Sequence, residues 1–290
     1  MKKFLSTLVV CLIIFSAKGQ ELNAYTIFTS KGEKVDFYEM VTELEENHVI
    51  LFGELHDNPI SHWLQLELTI QLYNNNNQHL MIGAEMFERD NQLIINEYLQ
   101  GIITQTRFEN EARLWPNYKT DYKPVVEFAR ENSIAFYATN IPRRYASMVS
   151  KGGFEELDKL SDEAKKYIAP LPVEYDPELP GYKAMLKMMG MPGSKGNKQN
   201  FPKAQAIKDA TMAWSIATNY KVGSIFLHMH GTYHSNNFEG IAWYLNQYKP
   251  ELKLKTIATA LQDDVDTLKD ENQGIADFII VVPSRMTRTY

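Results

Sequence analysis

Short, continuously apolar runs alternate along the chain with longer segments of helical periodicity. A continuous apolar run is typical of a strand buried on both faces, whereas apolar residues spaced about three to four apart are typical of a helix. The runs that predict strands are AYTIFTS, HVILFG, HLMIGAEMF, IAFYATNIP, GSIFLHMHG, KLKTIATAL and DFIIVVP. Their alternation with helices predicts an α/β fold with a largely parallel central sheet and helices on both faces.

Helices are predicted between the strands, over residues 35–47, 58–73, 90–100, 122–133, 203–220 and 238–248. Asn58 or Asp57 can cap the second of these helices, and Pro59 suits its first turn. A further helix begins after residue 142, and Gly152 and Gly153 are expected to break it.

A Pro- and Gly-rich polar region departs from this alternation. It predicts a helical or irregular insertion around residues 155–205. Within it, residues 170–202 are interpreted as a lid outside the core, with an apolar surface of flexible methionines. Those methionines are Met185, Met188, Met189 and Met191.

The amino terminus has the features of an export signal. Lys2 and Lys3 precede an apolar stretch that is too short to span a bilayer, and small residues follow where a signal peptidase would cut. We therefore expect residues 1–19 to be a cleaved signal peptide and residues 20–290 to form one domain, exported to the periplasm or the envelope surface. One alternative is an uncleaved anchor. The other is a lipid on Cys11, which is disfavoured because Val10 is bulkier than the small residue normally needed before a lipidated cysteine.

Composition narrows the range of functions. The chain of 290 residues is 44% hydrophobic and 23% charged, with a net charge of −6 that becomes more negative once the lysines of the signal are removed. An acidic chain of this kind is a poor binder of nucleic acid. Cys11 is the only cysteine, so loss of the signal excludes disulfides, thiolate metal sites and cysteine nucleophiles from the mature domain.

Two apolar runs end in the same pattern, Gly-x-x-His, at residues 53–56 and 231–234. A third run carries Glu85 between Ala84 and Met86, where a solvated surface charge is hard to explain. In parallel sheets the side chains that do chemistry gather just beyond the carboxyl ends of the strands. We therefore expect four side chains to meet in one cleft, namely Glu54, His56, Glu85 and His234.

Nitrogen and oxygen donors of this kind suit proton transfer or a metal such as zinc or manganese. His228 and His230 are two residues apart on a strand and point to the same side. The candidate metal ligands are His56, Glu85, His228 and His234. The candidate groups for proton transfer are Glu54, His56 and Glu85. His48, His62 and His79 are interpreted as structural, and Asp209 as a supporting residue.

The segments ILFGELHDNPISHWLQLEL, IGAEMFERDNQ, ATNIPRR, AQAIKDATMAWSI and HMHGTYHS occur in an order that resembles the ChaN-like haem-binding proteins. That family is grouped with Tiki and TraB proteins and, more distantly, with erythromycin esterases. The resemblance extends from Val49 to His234. It implies an α/β fold, a bacterial envelope location, and a site that includes Gly53, Glu54 and the segment 228–234.

The resemblance also implies haem as the ligand, a role in haem or iron acquisition with other envelope uptake components as partners, and two protomers that can enclose haem. A Tyr and a His are then expected among the iron contacts. The candidate cofactor-binding residues are His56, His234, Tyr233, Tyr145 and Arg143. Family members are often lipoproteins, whereas this signal favours plain cleavage.

Three functions remain open from the sequence. A haem carrier needs an apolar, aromatic cleft with an axial ligand, and the 12% aromatic content is compatible with it. A metal-dependent hydrolase, which the Tiki and esterase relatives suggest, would use the same cleft, with Glu54, His56 and Glu85 as its catalytic groups and Glu54 as general base. The acids and histidines at the strand ends support both functions equally. An envelope scaffold without catalysis explains the fold but not the buried Glu85.

Overall fold

Eight strands of the described residues form one sheet. The computed structural model describes residues 22–76, 79–189 and 198–290. The strands are β1 (Thr26–Thr29), β2 (Lys34–Val35), β3 (Val49–Glu54), β4 (Leu80–Glu88), β5 (Ala135–Asn140), β6 (Ile225–Gly231), β7 (Leu254–Gln262) and β8 (Phe278–Pro283). Their order across the sheet is β2-β1-β8-β7-β3-β6-β4-β5.

The sheet is parallel from β5 to β8, and only the edge formed by β1 and β2 is antiparallel. The α/β fold with a largely parallel sheet is therefore confirmed, and each of the predicted apolar runs contains a strand. The two central strands, β3 and β6, pair in register from Val49 with Phe226 to Glu54 with Gly231. Consequently the two Gly-x-x-His segments leave the sheet side by side.

Helices cover both faces of the sheet. They are α1 (Phe37–Leu44), α2 (Pro59–Asn75), α3 (Gln92–Leu99), α4 (Gln105–Glu111), α5 (Lys123–Glu131), α6 (Arg143–Gly152), α7 (Asp162–Lys165), α8 (Pro180–Met189), α9 (Phe201–Asn219) and α10 (Ile241–Tyr248). Side chains alternate between the faces of a strand. Accordingly Ile50 and Phe52 of β3 pack with α1, α2 and α5, whereas Val49 and Leu51 pack with α6, α9 and α10.

Local signals in the sequence are visible at several helix ends. The side chain of Asn58 accepts a hydrogen bond from the backbone N–H of Ser61 at 3.0 Å, so Asn58 caps α2, and Pro59 occupies the first turn. Helix α6 ends at Gly152, followed by Gly153 with φ of 91°. Among the elements without an assignment in the sequence analysis are β2, α4 and a π-helical turn over Tyr118–Tyr122.

The region predicted as an insertion is more closely tied to the core than expected. Helix α8 places Tyr182 in the same hydrophobic cluster as α9, and Tyr182 is 3% exposed. The interpretation of residues 170–202 as a lid outside the core is therefore wrong for this residue. Met185 packs against the same cluster. The side chains of Met188, Met189 and Met191 lie outside the described part of the chain, so the methionine surface stays a prediction.

Within the described ranges, none of the helices is long and apolar enough to cross a membrane.

Leu51 lies at the centre of the sheet and is completely buried, whereas Leu93 on α3 is 71% exposed. We expect Leu51→Ala to lower the free energy of unfolding by about 2–5 kcal/mol, because burial is lost and a cavity remains. Leu93→Ala, the matched control, should change it by less than about 0.5 kcal/mol. Urea denaturation measures both, and similar losses for the two variants would contradict this placement of the core.

Candidate functional site

The carboxyl ends of β3, β6 and β4 meet at one edge of the sheet and bring four predicted residues together. Gly231, the last residue of β6, donates its backbone N–H to Oε2 of Glu85 at 2.8 Å. His234 approaches Oε1 of Glu85 with Nε2 at 3.1 Å, and His56 approaches Oε1 of Glu54 with Nδ1 at 2.8 Å. The four residues that were expected in one cleft, Glu54, His56, Glu85 and His234, therefore lie together.

Gly231 is the point at which the two halves of the cleft touch. A β-carbon at this position would lie 2.7 Å from Nε2 of His56 and 3.6 Å from Oε2 of Glu85. The first distance is far below normal contact, so a larger residue would displace the His56 imidazole. Glycine is required here for close approach, while its N–H holds the carboxylate.

Glu54 is a buried carboxylate that holds His56 in place. Its oxygens accept hydrogen bonds from Nδ1 of His56, from the hydroxyl of Tyr122 at 2.7 Å and from the amide of Gln65 at 2.6 Å. Burial alone would raise the pKa of Glu54, but the hydrogen bond from His56, the charge of the nearby His62 and the Tyr122 hydroxyl lower it below its ordinary value. Glu54 is therefore ionised and fully partnered.

His56 is left with one open nitrogen. Its Nδ1–H donates to Glu54, which in the neutral ring leaves the lone pair on Nε2, and that nitrogen hydrogen-bonds no residue that the structure describes. The side chain is 34% exposed, with Trp115 edge-on at 4.9 Å between ring centroids. Burial would lower the pKa of His56, but the bond to Glu54 and the charge of Glu85 raise it.

The backbone of His56 is held as firmly as its ring. His62 approaches the His56 carbonyl with Nε2 at 3.0 Å, and the amide of Asn117 donates to the same oxygen at 2.8 Å. His62 therefore has the structural role that the sequence analysis assigns to it. Gln65 and Tyr122 are missing from that analysis. A polar Gln65 on the apolar face of a predicted helix was a usable signal, whereas nothing in the sequence marks Tyr122.

His234 lies between two carboxylates. Its Nε2 faces Glu85, and its Nδ1 hydrogen-bonds Oδ1 of Asp209 on α9. The amide nitrogen of Gln205 lies 2.8 Å from the same Nδ1, and the hydroxyl of Tyr182 donates to Oδ2 of Asp209 at 3.0 Å. Asp209 thus supports His234, while Tyr182 connects α8 to the site.

The charges of this group follow from burial and neighbours. Burial would lower the pKa of His234, but Glu85 and Asp209 raise it to about 9, so the ring is an imidazolium at neutral pH. Burial would raise the pKa of Glu85, yet His234, His56 and Lys208 hold it well below its ordinary range. For Asp209 burial dominates and raises the pKa. Glu85 is therefore the carboxylate that stays charged opposite His234.

His228 and His230 form a separate, completely buried chain beneath the cleft. His228 hydrogen-bonds Thr139 through Nε2 at 2.8 Å and His230 through Nδ1 at 3.0 Å, and Nε2 of His230 hydrogen-bonds Ser235 at 2.8 Å. Burial lowers the pKa of both rings, that of His230 to about 3, so both are neutral. Both nitrogens of His228 are occupied within the protein.

These contacts bear on the predicted metal ligands. No group of three or more His, Asp or Glu side chains in the described residues is arranged to hold a metal ion. The nitrogens of His234 face two carboxylates, and those of His228 face Thr139 and His230. The set of His56, Glu85, His228 and His234 is thus not a ligand group, and the metal-dependent hydrolase has no support from this geometry.

The predicted tyrosines differ in their surroundings. Tyr233 is 74% exposed, directly before His234. Tyr145 is buried, and its hydroxyl accepts a hydrogen bond from Arg144 at 3.1 Å while the same guanidinium lies over its ring. Arg143 is exposed at the first turn of α6. Of the two tyrosines, only Tyr233 presents its hydroxyl to a ligand from solvent.

Comparison with known proteins finds a family that matches most of the chain. Residues 40–245 match the model of a family described as haem-binding uptake, Tiki superfamily, ChaN. No curated protein matches the chain.

Among solved structures, ChaN of Campylobacter jejuni is 17% identical, with a TM-score of 0.65, and the alignment covers 89% of this chain and 96% of that one. A protein from Bacillus cereus is 9% identical, with a TM-score of 0.50 and coverage of 90% and 95%. An erythromycin esterase, EreC, is 13% identical, with coverage of 89% and 98%, but its TM-score of 0.48 supports no inference. The first two show a shared fold.

The charged His234 makes stability depend on pH. Its pKa rises from 6.5 in the unfolded chain to about 9 in the folded one, so its contribution is complete below pH 6.5 and is lost as the pH rises through 9. We expect wild-type stability to fall over this range by on the order of 3 kcal/mol more than that of His234→Gln.

Urea denaturation at several pH values measures this difference. The matched control is His79→Gln, at an exposed histidine outside the site, which should keep the wild-type dependence. An unchanged pH dependence in His234→Gln would show that His234 is not charged in the folded protein.

Proposed function

Because the chain belongs to the ChaN family of haem-binding uptake proteins, we propose that it is an exported haem-binding protein of bacterial haem and iron acquisition. The observation that carries this proposal is the open Nε2 of His56, held by the buried Glu54 and partly exposed to solvent. Histidine and tyrosine are both ligands of haem iron. Haem is here the cargo, and the iron that it contains is the nutrient.

The residues of the cleft fit such a ligand. A histidine that binds iron usually donates its second ring N–H to a carboxylate or carbonyl, which fixes the tautomer and the orientation of the ring. Glu54 does this for His56. Tyr233 adds an exposed phenol two residues beyond Gly231, whose α-carbon lies against His56. His56 and Tyr233 are therefore the proposed iron ligands.

The other predicted cofactor-binding residues take different parts. His234 uses both ring nitrogens on Asp209 and Glu85, so its proposed role is to position the loop that carries Tyr233. Tyr145 is buried against Arg144 and is not proposed as a ligand. Arg143 is exposed and remains a candidate for contact with a haem carboxylate.

A homodimer is part of the proposal. ChaN of Campylobacter jejuni binds haem cofacially, and it shares the fold of this chain at 17% identity. Cofacial haems in the present protein would bring two copies together over the exposed Tyr233. We propose this arrangement together with partners among envelope components of haem uptake.

Haemin titration of the purified domain tests the function. We expect a shift of the Soret band that saturates at about one haem per chain. Tyr233→Phe and His56→Ala should each change the spectrum and weaken binding roughly tenfold or more, because each removes an iron ligand. Tyr38→Phe, at an exposed tyrosine on α1, is the control and should bind as wild type.

If the wild-type domain shows no Soret shift with haemin, the haem-carrier proposal is wrong.

Sedimentation velocity with and without haemin tests the homodimer, which should form or strengthen with the ligand.

Export is proposed from residues 1–19, which lie outside the described part of the chain. Expression of the full chain in a bacterium and mass measurement of the mature protein tests it. We expect a chain that begins at Gln20 and is recovered with the periplasmic fraction. A chain that retains Met1, or one that carries lipid on Cys11, would contradict cleavage after Gly19.

A further inference from the structure

One face of α9 borders the cleft on the side of His234. Phe201, Gln205 and Lys208 are four and three residues apart, so they share that face of the helix. The Gln205 amide lies 2.8 Å from Nδ1 of His234, so this face of the helix points toward His234. Lys208 is partly buried and lies one turn after Gln205, and its charge acts on the Glu85 carboxylate.

Lys208 forms no hydrogen bond and no ion pair with any residue that the structure describes. Two other partly buried lysines form ion pairs, Lys123 with Glu109 and Lys255 with both Glu43 and Asp277. Glu85, the carboxylate on which the charge of Lys208 acts, already accepts the N–H of Gly231 and faces His234. An ammonium group that is partly buried beside a cleft, without a counterion, is suited to bind an anionic group of a ligand.

Exposed aromatic rings stand at the same edge of the sheet. Phe201 and Phe238 are each 41% exposed, and Tyr233 is more so. Phe238 and Asn237 have φ of 60° and 59°, a region that non-glycine residues rarely adopt. The loop keeps this conformation through contacts such as the N–H of Asn237 to the carbonyl of Ile275 at 2.7 Å. Strain of this kind often accompanies a binding function.

From this arrangement we propose that Lys208 binds a propionate carboxylate of haem and gives the site its preference for tetrapyrroles with free carboxylates. The proposal rests on the proposed function. Aromatic rings on α9 and on the loop after β6 suit the apolar macrocycle, whereas the ammonium suits its acidic edge. The site therefore combines an iron ligand, an aromatic surface and a cation. These match the iron, the apolar ring and the carboxylates of the metalloporphyrin.

Two ligands separate this role from general binding. Haemin carries free propionates, and haemin dimethyl ester carries the same ring and iron without the charges. We expect wild-type protein to bind haemin roughly tenfold more tightly than the ester, and Lys208→Met to lose about that factor for haemin alone. Lys208→Arg should keep most of the preference, because it keeps the charge.

Lys203→Met is the matched control. Lys203 lies on the same helix, but its ammonium is 5.9 Å from the centre of the Phe154 ring, and the variant should bind both ligands as wild type. Thermal unfolding of each variant shows that it is folded, and Lys208→Gln repeats the test if the methionine variant is not.

The outcomes are distinguishable. If the wild type binds haemin and Lys208→Met binds it equally well, the role of Lys208 is overturned while haem carriage stands. If Lys208→Met weakens haemin and ester alike, Lys208 supports the structure and does not read the carboxylate, which also overturns the proposal. If the wild type binds neither ligand, the proposed function fails and this inference fails with it.

Discussion

The hydrogen bond from the backbone of Gly231 to Glu85 is the contact on which the site depends. It fixes a buried carboxylate just beyond the point where the pairing of β4 with β6 ends. Glu85 and Asp209 together raise the pKa of His234 and keep its ring charged. Asp209 also hydrogen-bonds Nδ1 of that ring. The missing side chain of Gly231 also leaves the space in which His56 presents its open nitrogen. One glycine therefore serves both halves of the cleft.

The neighbours of four histidines in this region give them three different chemical states. His56 has one carboxylate partner and one open nitrogen, so it can bind a ligand. His234 has two carboxylate partners and is charged, so it holds the loop after β6. His228 and His230 have only each other and hydroxyl groups, and burial keeps them neutral. The neighbouring carboxylates therefore determine the charge of each ring, because a nearby carboxylate offsets the hydration that a charged imidazole loses on burial.

Most of the fold and the centre of the site could be predicted from pattern. Continuous apolar runs indicated the strands, and a parallel sheet requires that their carboxyl ends share an edge. For neighbouring strands, that rule predicts that Glu54, His56, Glu85 and His234 lie together. The residues around them could not be predicted in the same way, since Tyr122 and Tyr182 reach the site from segments without a recognisable motif. Tyr182 was instead assigned to a lid.

By itself, the sequence determined the α/β alternation, the two Gly-x-x-His strand ends and the family to which the chain belongs. Only the tertiary structure decided which nitrogen of which histidine is open. That property depends on distances of a few ångströms between side chains far apart in the chain, such as His234 and Asp209. Hydrophobic periodicity reports which residues are buried, but not which buried polar groups find each other, because burial is averaged along an element while a hydrogen bond is a single contact.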